Sequence, residues 1–137
     1  KIFPKNIQFQ DLISNNTGPL AGIQAGLFNA KNNWVQFCPN DSPFLPYNLV
    51  NKLSSYIKNN GPTIIVPLLF GRIEPVFMLC HRSLIKNLEE FIDTGGRKIE
   101  SWIKKNNYKT VPFSNKKAFT NINNLNELEE IEKTTSK

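Results

Sequence analysis

Apolar and polar positions alternate in one short segment near the start of the chain, Ile7-Gln8-Phe9-Gln10, which reads as a strand ending at Asp11. After a loop-like "SNNTGPLAG", Leu20, Ile23, Leu27 and Phe28 recur at helical spacing, and Pro19 suits a first helical position, predicting a helix over 19–30. Residues 34–38 are almost continuously apolar, as in a strand covered on both faces. Leu49, Leu53 and Ile57 mark a helix over about 47–59, stopped by "NNGP". "TIIVPLLF" is a strand in which Pro67 implies an edge, a bulge or the strand's end. "EPVFMLC" is a further strand. "HRSLIKNLEEFIDTGG" is a helix with Ser83 as its cap, Leu84, Leu88, Phe91 and Ile92 on one face, and Gly95-Gly96 at its end. A short helix over 98–105, a strand "YKTVPF" and a helix "NLNELEEIEK" with a polar tail from about residue 129 complete the order.

Strands alternating with helices imply an α/β fold with three layers and a mostly parallel sheet, formed by residues 1–137 as a single domain. The 137 residues are enough for one core, and the 39% hydrophobic and 20% charged content is that of a globular protein. No apolar run approaches a membrane span and no secretory signal is present, so a cytoplasmic protein without membrane contact is expected. Cys38 and Cys80 lie in apolar segments, without metal-ligand spacing, and read as buried thiols. The net charge of +6 favours anionic partners. The basic residues are scattered and not interleaved with aromatics, so nucleic acid is not the expected one.

Open parallel sheets bind ligands outside the carboxyl ends of their strands. Two acids fall there, Asp11 and Asp41, the second held between Pro39 and Pro43. A hard cation such as Mg2+ binds few protein carboxylates and takes its other ligands from phosphate and water, and a helix start at Pro19 offers free N–H groups to an anion. Spacing alone is equally compatible with acids that only shape turns.

Taken together, "GPLAGIQAGL", "FCPNDSPFLP", "EPVFMLCHRSLIKNLEEFIDTGGRKIESWI" and "FTNINNLNEL" resemble the molybdenum cofactor guanylyltransferases, from about Asp11 to Leu128. The resemblance implies a Rossmann-like nucleotidyltransferase fold and Mg2+-dependent transfer of GMP from GTP to molybdopterin, with release of pyrophosphate. It implies Asp41 as the metal-binding and catalytic acid and Asp11 as an acid contacting the nucleotide. It places Gly22 where backbone comes close to that nucleotide, and Pro43, Arg97, Asn121 and Asn123 on the molybdopterin side. Physical chemistry suits these roles. Arg97 carries a planar fork for phosphate or a pterin edge. Asn121 and Asn123 alternate with Ile122, which turns both amides to one side of an extended segment. The competing readings are that Arg97 binds the end carbonyls of the preceding helix, and that the two asparagines shape a turn. His81, the single histidine, reads as structural.

The sequence departs from that family in one large respect. The family opens with a strand and a glycine-rich loop, L-A-G-G followed by R-M-G and a lysine, which wraps the triphosphate; no such loop occurs here, and residue 1 is Lys. The expectation is therefore an N-terminally incomplete fold, a longer native protein, and doubtful turnover by this chain alone. Asn124 stands where the family has Thr after its N-x-N, and residues 61–75 match poorly. Cytidylyl transfer to the same cofactor, or a non-catalytic molybdopterin-binding fragment, are the alternatives. Molybdoenzymes or other cofactor-biosynthesis proteins would be protein partners.

Overall fold

The computed structural model describes residues 7–12, 19–39 and 47–113. Their order is β1 (Ile7–Leu12), α1 (Pro19–Phe28), β2 (Trp34–Pro39), α2 (Tyr47–Ser54), β3 (Ile64–Leu69), β4 (Arg72–Ile73), a 3-10 turn (Pro75–Phe77), β5 (Leu79–His81), a second 3-10 turn (Arg82–Leu84), α3 (Ile85–Asp93), α4 (Ile99–Lys104) and β6 (Tyr108–Phe113). The helix expected over 124–133 and the polar tail lie outside the described residues.

The six strands form one sheet. β1 is parallel to β2, and β6 is parallel to β3. The short β5 sits between β2 and β3, antiparallel to both. β1, β2, β3 and β6 therefore all point one way, and only the short β4 and β5 run against them. The expected parallel framework is present, with an antiparallel insertion that the periodicity does not reveal. "EPVFMLC" is not one strand: Pro75–Phe77 form a 3-10 turn, and pairing starts at Leu79. Proline at the first position of that turn has no N–H to offer a ladder, which delays the strand.

Pro67 is not on an edge strand. β3 is paired by β5 along Ile64–Ile65 and by β4 along Leu68–Leu69, and Pro67 falls in the gap between these ladders. Its carbonyl accepts from the Glu74 N–H at 2.9 Å, so the one backbone group it can contribute is used.

Side-chain alternation explains the apolar runs. Val35 and Phe37 of β2, with Ile64 and Val66 of β3, face a core built with Ile23 and Leu27 of α1, Leu88 of α3 and Trp102 of α4. Trp34 and Cys38, with Ile65 and Leu69, face the opposite core beneath Leu49, Val50 and Leu53 of α2. Strands buried on both faces must be apolar at odd and even positions alike, and the result is three layers, α/β/α.

α2 is shorter than its pattern predicts. After Ser54 the chain tightens into turns, with the N–H groups of Tyr56 and Ile57 bonding three residues back to Leu53 and Ser54. Tyr56 and Ile57 still pack on the core, so the helical apolar period outlasts the helix.

Candidate active site at the carboxyl edge

The four codirectional strands bring Leu12, Pro39, Leu69 and Phe113 to one edge of the sheet, with Leu12 in register with Pro39 and Leu69 with Phe113. Asp11 lies one residue inside that edge, exposed, opposite Cys38. α1 begins at Pro19 and crosses β1 and β2 at very short range. A Cβ on Gly22 would stand 2.9 Å from Leu12 Cδ2, and one on Gly26 would stand 2.6 Å from the Phe37 ring. Both glycines thus have a packing role that their place in "GPLAGIQAGL" does not by itself disclose. At the far end of α1, the Gln8 side-chain oxygen accepts from the N–H groups of Lys31 and Asn32, both at 2.8 Å, and fixes the return to β2.

Arg97 sits in the α3–α4 turn. His81 pairs with Trp34 at the start of β2, so α3 departs from the amino edge of the sheet, and β6 returns there with Tyr108 opposite Ile64. Both helices pack on the sheet between those points. Their connecting turn, with Arg97, lies between a departure from and a return to the amino edge. Arg97 is exposed and its Nη1 donates to the adjacent Gly96 carbonyl at 2.9 Å. One donor of the fork is occupied locally, and the rest of this exposed guanidinium is available to a ligand.

Asp41, Pro43, Asn121 and Asn123 lie outside the described residues. Asp41 follows Cys38 by three residues, so β2 delivers the chain to that segment from the carboxyl edge beside Asp11. Among the described residues no group of three or more His, Cys, Asp or Glu side chains is placed to hold a metal ion.

His81 is at the opposite edge. Its Nδ1 accepts the Ser83 N–H at 3.1 Å, contacts Ser83 Oγ at 2.9 Å, and its ring meets Trp34 edge-on at 5.1 Å. The expected cap is thus reversed: His81 is the capping acceptor of the second 3-10 turn and Ser83 is the donor, because the chain tightens before α3 begins. Burial, then the neighbouring Arg82, lowers the His81 pKa below its ordinary 6.5.

Cys38 and Cys80 are buried free thiols, as their apolar settings imply. Burial, with the charge of Asp11 adding to it, pushes Cys38 up to about 12. Burial likewise raises Cys80.

One residue near the site escaped the sequence reading. Gln36 is fully buried in the middle of β2. Its Nε2 donates to the carbonyls of Phe77 at 2.8 Å and Phe37 at 3.0 Å, with Met78 at 3.3 Å. It thereby ties β2 to the irregular backbone before β5. The signal was available: a single amide inside an otherwise apolar strand.

A three-layer α/β/α domain with Asp11 and the start of α1 at the carboxyl edge of its sheet has the form of a Rossmann-like nucleotidyltransferase. The family model described as the MobA-like NTP transferase domain matches residues 4–111, and the chain belongs to that family. It is 40% identical over 123 residues to a molybdenum cofactor guanylyltransferase of Cupriavidus metallidurans, covering 86% of this chain and 61% of that protein. A second molybdenum cofactor guanylyltransferase, from Aliivibrio fischeri, is 40% identical over 126 residues, covering 90% and 64%. The solved structure of molybdopterin-guanine dinucleotide biosynthesis protein A from Archaeoglobus fulgidus superposes with a TM-score of 0.68 at 25% identity, covering 87% of this chain and 63% of that one. The chain thus spans a little under two thirds of the length of these relatives.

Proposed function

We propose that the protein of which this chain is part transfers GMP from GTP to molybdenum-molybdopterin, forming the guanine dinucleotide cofactor and releasing pyrophosphate. Membership of the MobA-like family supports this reading, as do the names of its guanylyltransferase relatives. The structural observation that carries it is the parallel register of Asp11 with Cys38. That register puts the strand ending near Asp11 next to the strand leading to Asp41, at the edge where such sheets bind nucleotides.

In this reading Asp11 contacts the nucleotide and the α1 start near Gly22 approaches it. Asp41 would hold Mg2+, with Pro39 and Pro43 limiting the backbone on either side. When bound, Mg2+ would supply charge neutralisation at the phosphates, the main requirement of phosphoryl transfer. Arg97, Asn121, Asn123 and Pro43 would form the molybdopterin side. A net charge of +6 suits two anionic substrates.

The test is pyrophosphate release by the whole gene product with molybdenum-molybdopterin and either GTP or CTP. Turnover with GTP, outcompeting CTP, is the expected result; turnover with CTP alone would replace guanylyl by cytidylyl transfer. Asp41→Asn should preserve the fold and abolish most turnover. Pterin binding without pyrophosphate release from either nucleotide would leave a non-catalytic binding module.

A further inference from the structure

Leu69 ends β3 and Arg72 begins β4 in direct register, so Phe70 and Gly71 form a two-residue hairpin loop. Both have positive φ, 49° and 81°. That is the pattern of a type I′ turn, whose first loop position is suited to Asn, Asp or Gly. A bulky aromatic side chain in left-handed backbone is strained. Nor does burial compensate, for Phe70 is 70% exposed. Backbone preference and the hydrophobic effect both oppose phenylalanine here, and both would be satisfied by Asn.

The position supplies a reason. The loop follows β3 at the carboxyl edge, where open α/β sheets take ligands, and Leu69 before it is in register with Phe113 at the end of β6. On the sheet path β1-β2-β5-β3, this end lies three strand spacings from Asp11, about 14 Å at ~4.8 Å per strand. A dinucleotide-forming enzyme must hold two flat ring systems joined through phosphates, one at each end of such a span. With the nucleotide assigned to the Asp11 end, the ring at the β3 end is the other one.

We propose that Phe70 is a stacking platform for the pterin ring of the second substrate. This rests on the guanylyltransferase reading for the identity of the ring. The turn leaves the Phe70 ring largely exposed at the sheet edge, and an aromatic face so exposed offers stacking to a planar heterocycle whatever its hydrogen-bond pattern.

The experiment compares the wild-type gene product with Phe70→Asn and Phe70→Tyr. Three readings are taken: thermal midpoint, KM for each substrate, and quenching of the fluorescence of air-oxidised molybdopterin, which does not depend on turnover. Phe70→Asn should raise the midpoint, lose the quenching and increase the molybdopterin KM about ten-fold, with the GTP KM held within about two-fold, the scale of one lost stacking contact. Phe70→Tyr should retain the quenching and the wild-type KM. Unchanged quenching and molybdopterin KM in Phe70→Asn would overturn the proposal, as would a change in the GTP KM instead. Quenching by the wild type that Phe70→Asn abolishes, without pyrophosphate release from either protein, would uphold Phe70 and sink the guanylyltransferase reading. A wild type that does not quench the pterin overturns the stacking assignment.

Discussion

Asp11 and Cys38 stand in register across the parallel strands β1 and β2, and the negative charge of Asp11 reinforces burial in keeping the Cys38 thiol protonated. Asp11 belongs to this pair, and in the sequence Asp41 follows Cys38 by three residues. A thiol so placed cannot serve as a nucleophile at neutral pH.

Alkaline stability follows from this arrangement. Below the ordinary thiol value of 9.0, Cys38 and Cys80 are protonated in both the folded and the unfolded chain and contribute no pH dependence. Above it the unfolded chain loses protons that the folded one keeps. Stability should then fall by about 1.4 kcal/mol per pH unit for each thiol. Urea titrations at pH 8, 9 and 10 measure it, and Cys38→Ala should remove about half of the thiol part of that slope. Because burial is the larger cause, Asp11→Asn should leave Cys38 resistant to alkylation in the native protein; rapid alkylation of that variant at pH 8 would show the carboxylate to be the main cause.

Gln36 donates to backbone just beyond the end of the β2–β5 ladder. Its amide serves the carbonyls of Phe77 and Phe37, while its own Oε1 has no hydrogen-bond partner among the described residues. Gln36→Leu keeps the volume and removes that unpaired acceptor but takes the amide's hydrogen bonds from these carbonyls, and should cost about 1–3 kcal/mol. Gln36→Glu sets a carboxylate against carbonyl oxygens in a dry core and should be the more damaging change at pH 7. Chemical denaturation of both variants checks the order; Glu matching the wild type would show that the amide donor is not what the site requires.

The sheet's framework was legible because a strand covered on both faces is apolar at nearly every position, and 64–69 and, Gln36 apart, 34–38 meet that condition. α1, α3 and α4 were legible because each buries one stripe. The β4–β5 insertion was not: "EPVFMLC" has strand composition, but Pro75 and the contacts around Gln36 turn its first half into a 3-10 turn. The strain at Phe70 was also invisible, since a register between Leu69 and Arg72 is needed before the loop can be seen to have two residues. Asp11 was legible as an acid at a strand end. The packing behind it was not, because how closely Gly22 and Gly26 approach the sheet depends on how α1 lies across it.

His81 makes acid stability a local matter at the amino edge. Its Nδ1 accepts from Ser83 only while unprotonated, and burial lowers its pKa below 6.5. Above pH 6.5 both states are neutral and the cap is intact. As pH falls below that value the unfolded chain takes up a proton that the folded chain resists, so stability declines until the folded imidazole also titrates. His81→Asn supplies a carbonyl oxygen in place of Nδ1 and should keep neutral-pH stability while flattening this acid slope. His81→Ala should lose about 1 kcal/mol at pH 7, the value of a cap. Thermal midpoints from pH 5 to 8 distinguish the two; an acid slope that persists in both variants would remove His81 from the account.

Gly22 and Gly26 separate packing from binding on the same helix. A methyl group at Gly26 meets the Phe37 ring at 2.6 Å and Gln10 Cγ at 2.9 Å, and Phe37 is fully buried with nowhere to turn. Gly26→Ala should destabilise by about 1–3 kcal/mol despite better helix propensity. At Gly22 the obstacle is a terminal methyl of Leu12 at 2.9 Å, which a small rotation relieves. Gly22→Ala should therefore be close to neutral in stability, with a helix gain of up to about 1 kcal/mol offsetting the contact. If the α1 start approaches the nucleotide, the same variant should raise the GTP KM at an unchanged thermal midpoint. A normal GTP KM in stable Gly22→Ala would confine that glycine to packing, and would leave Asp11 as the nucleotide contact on this side of the edge.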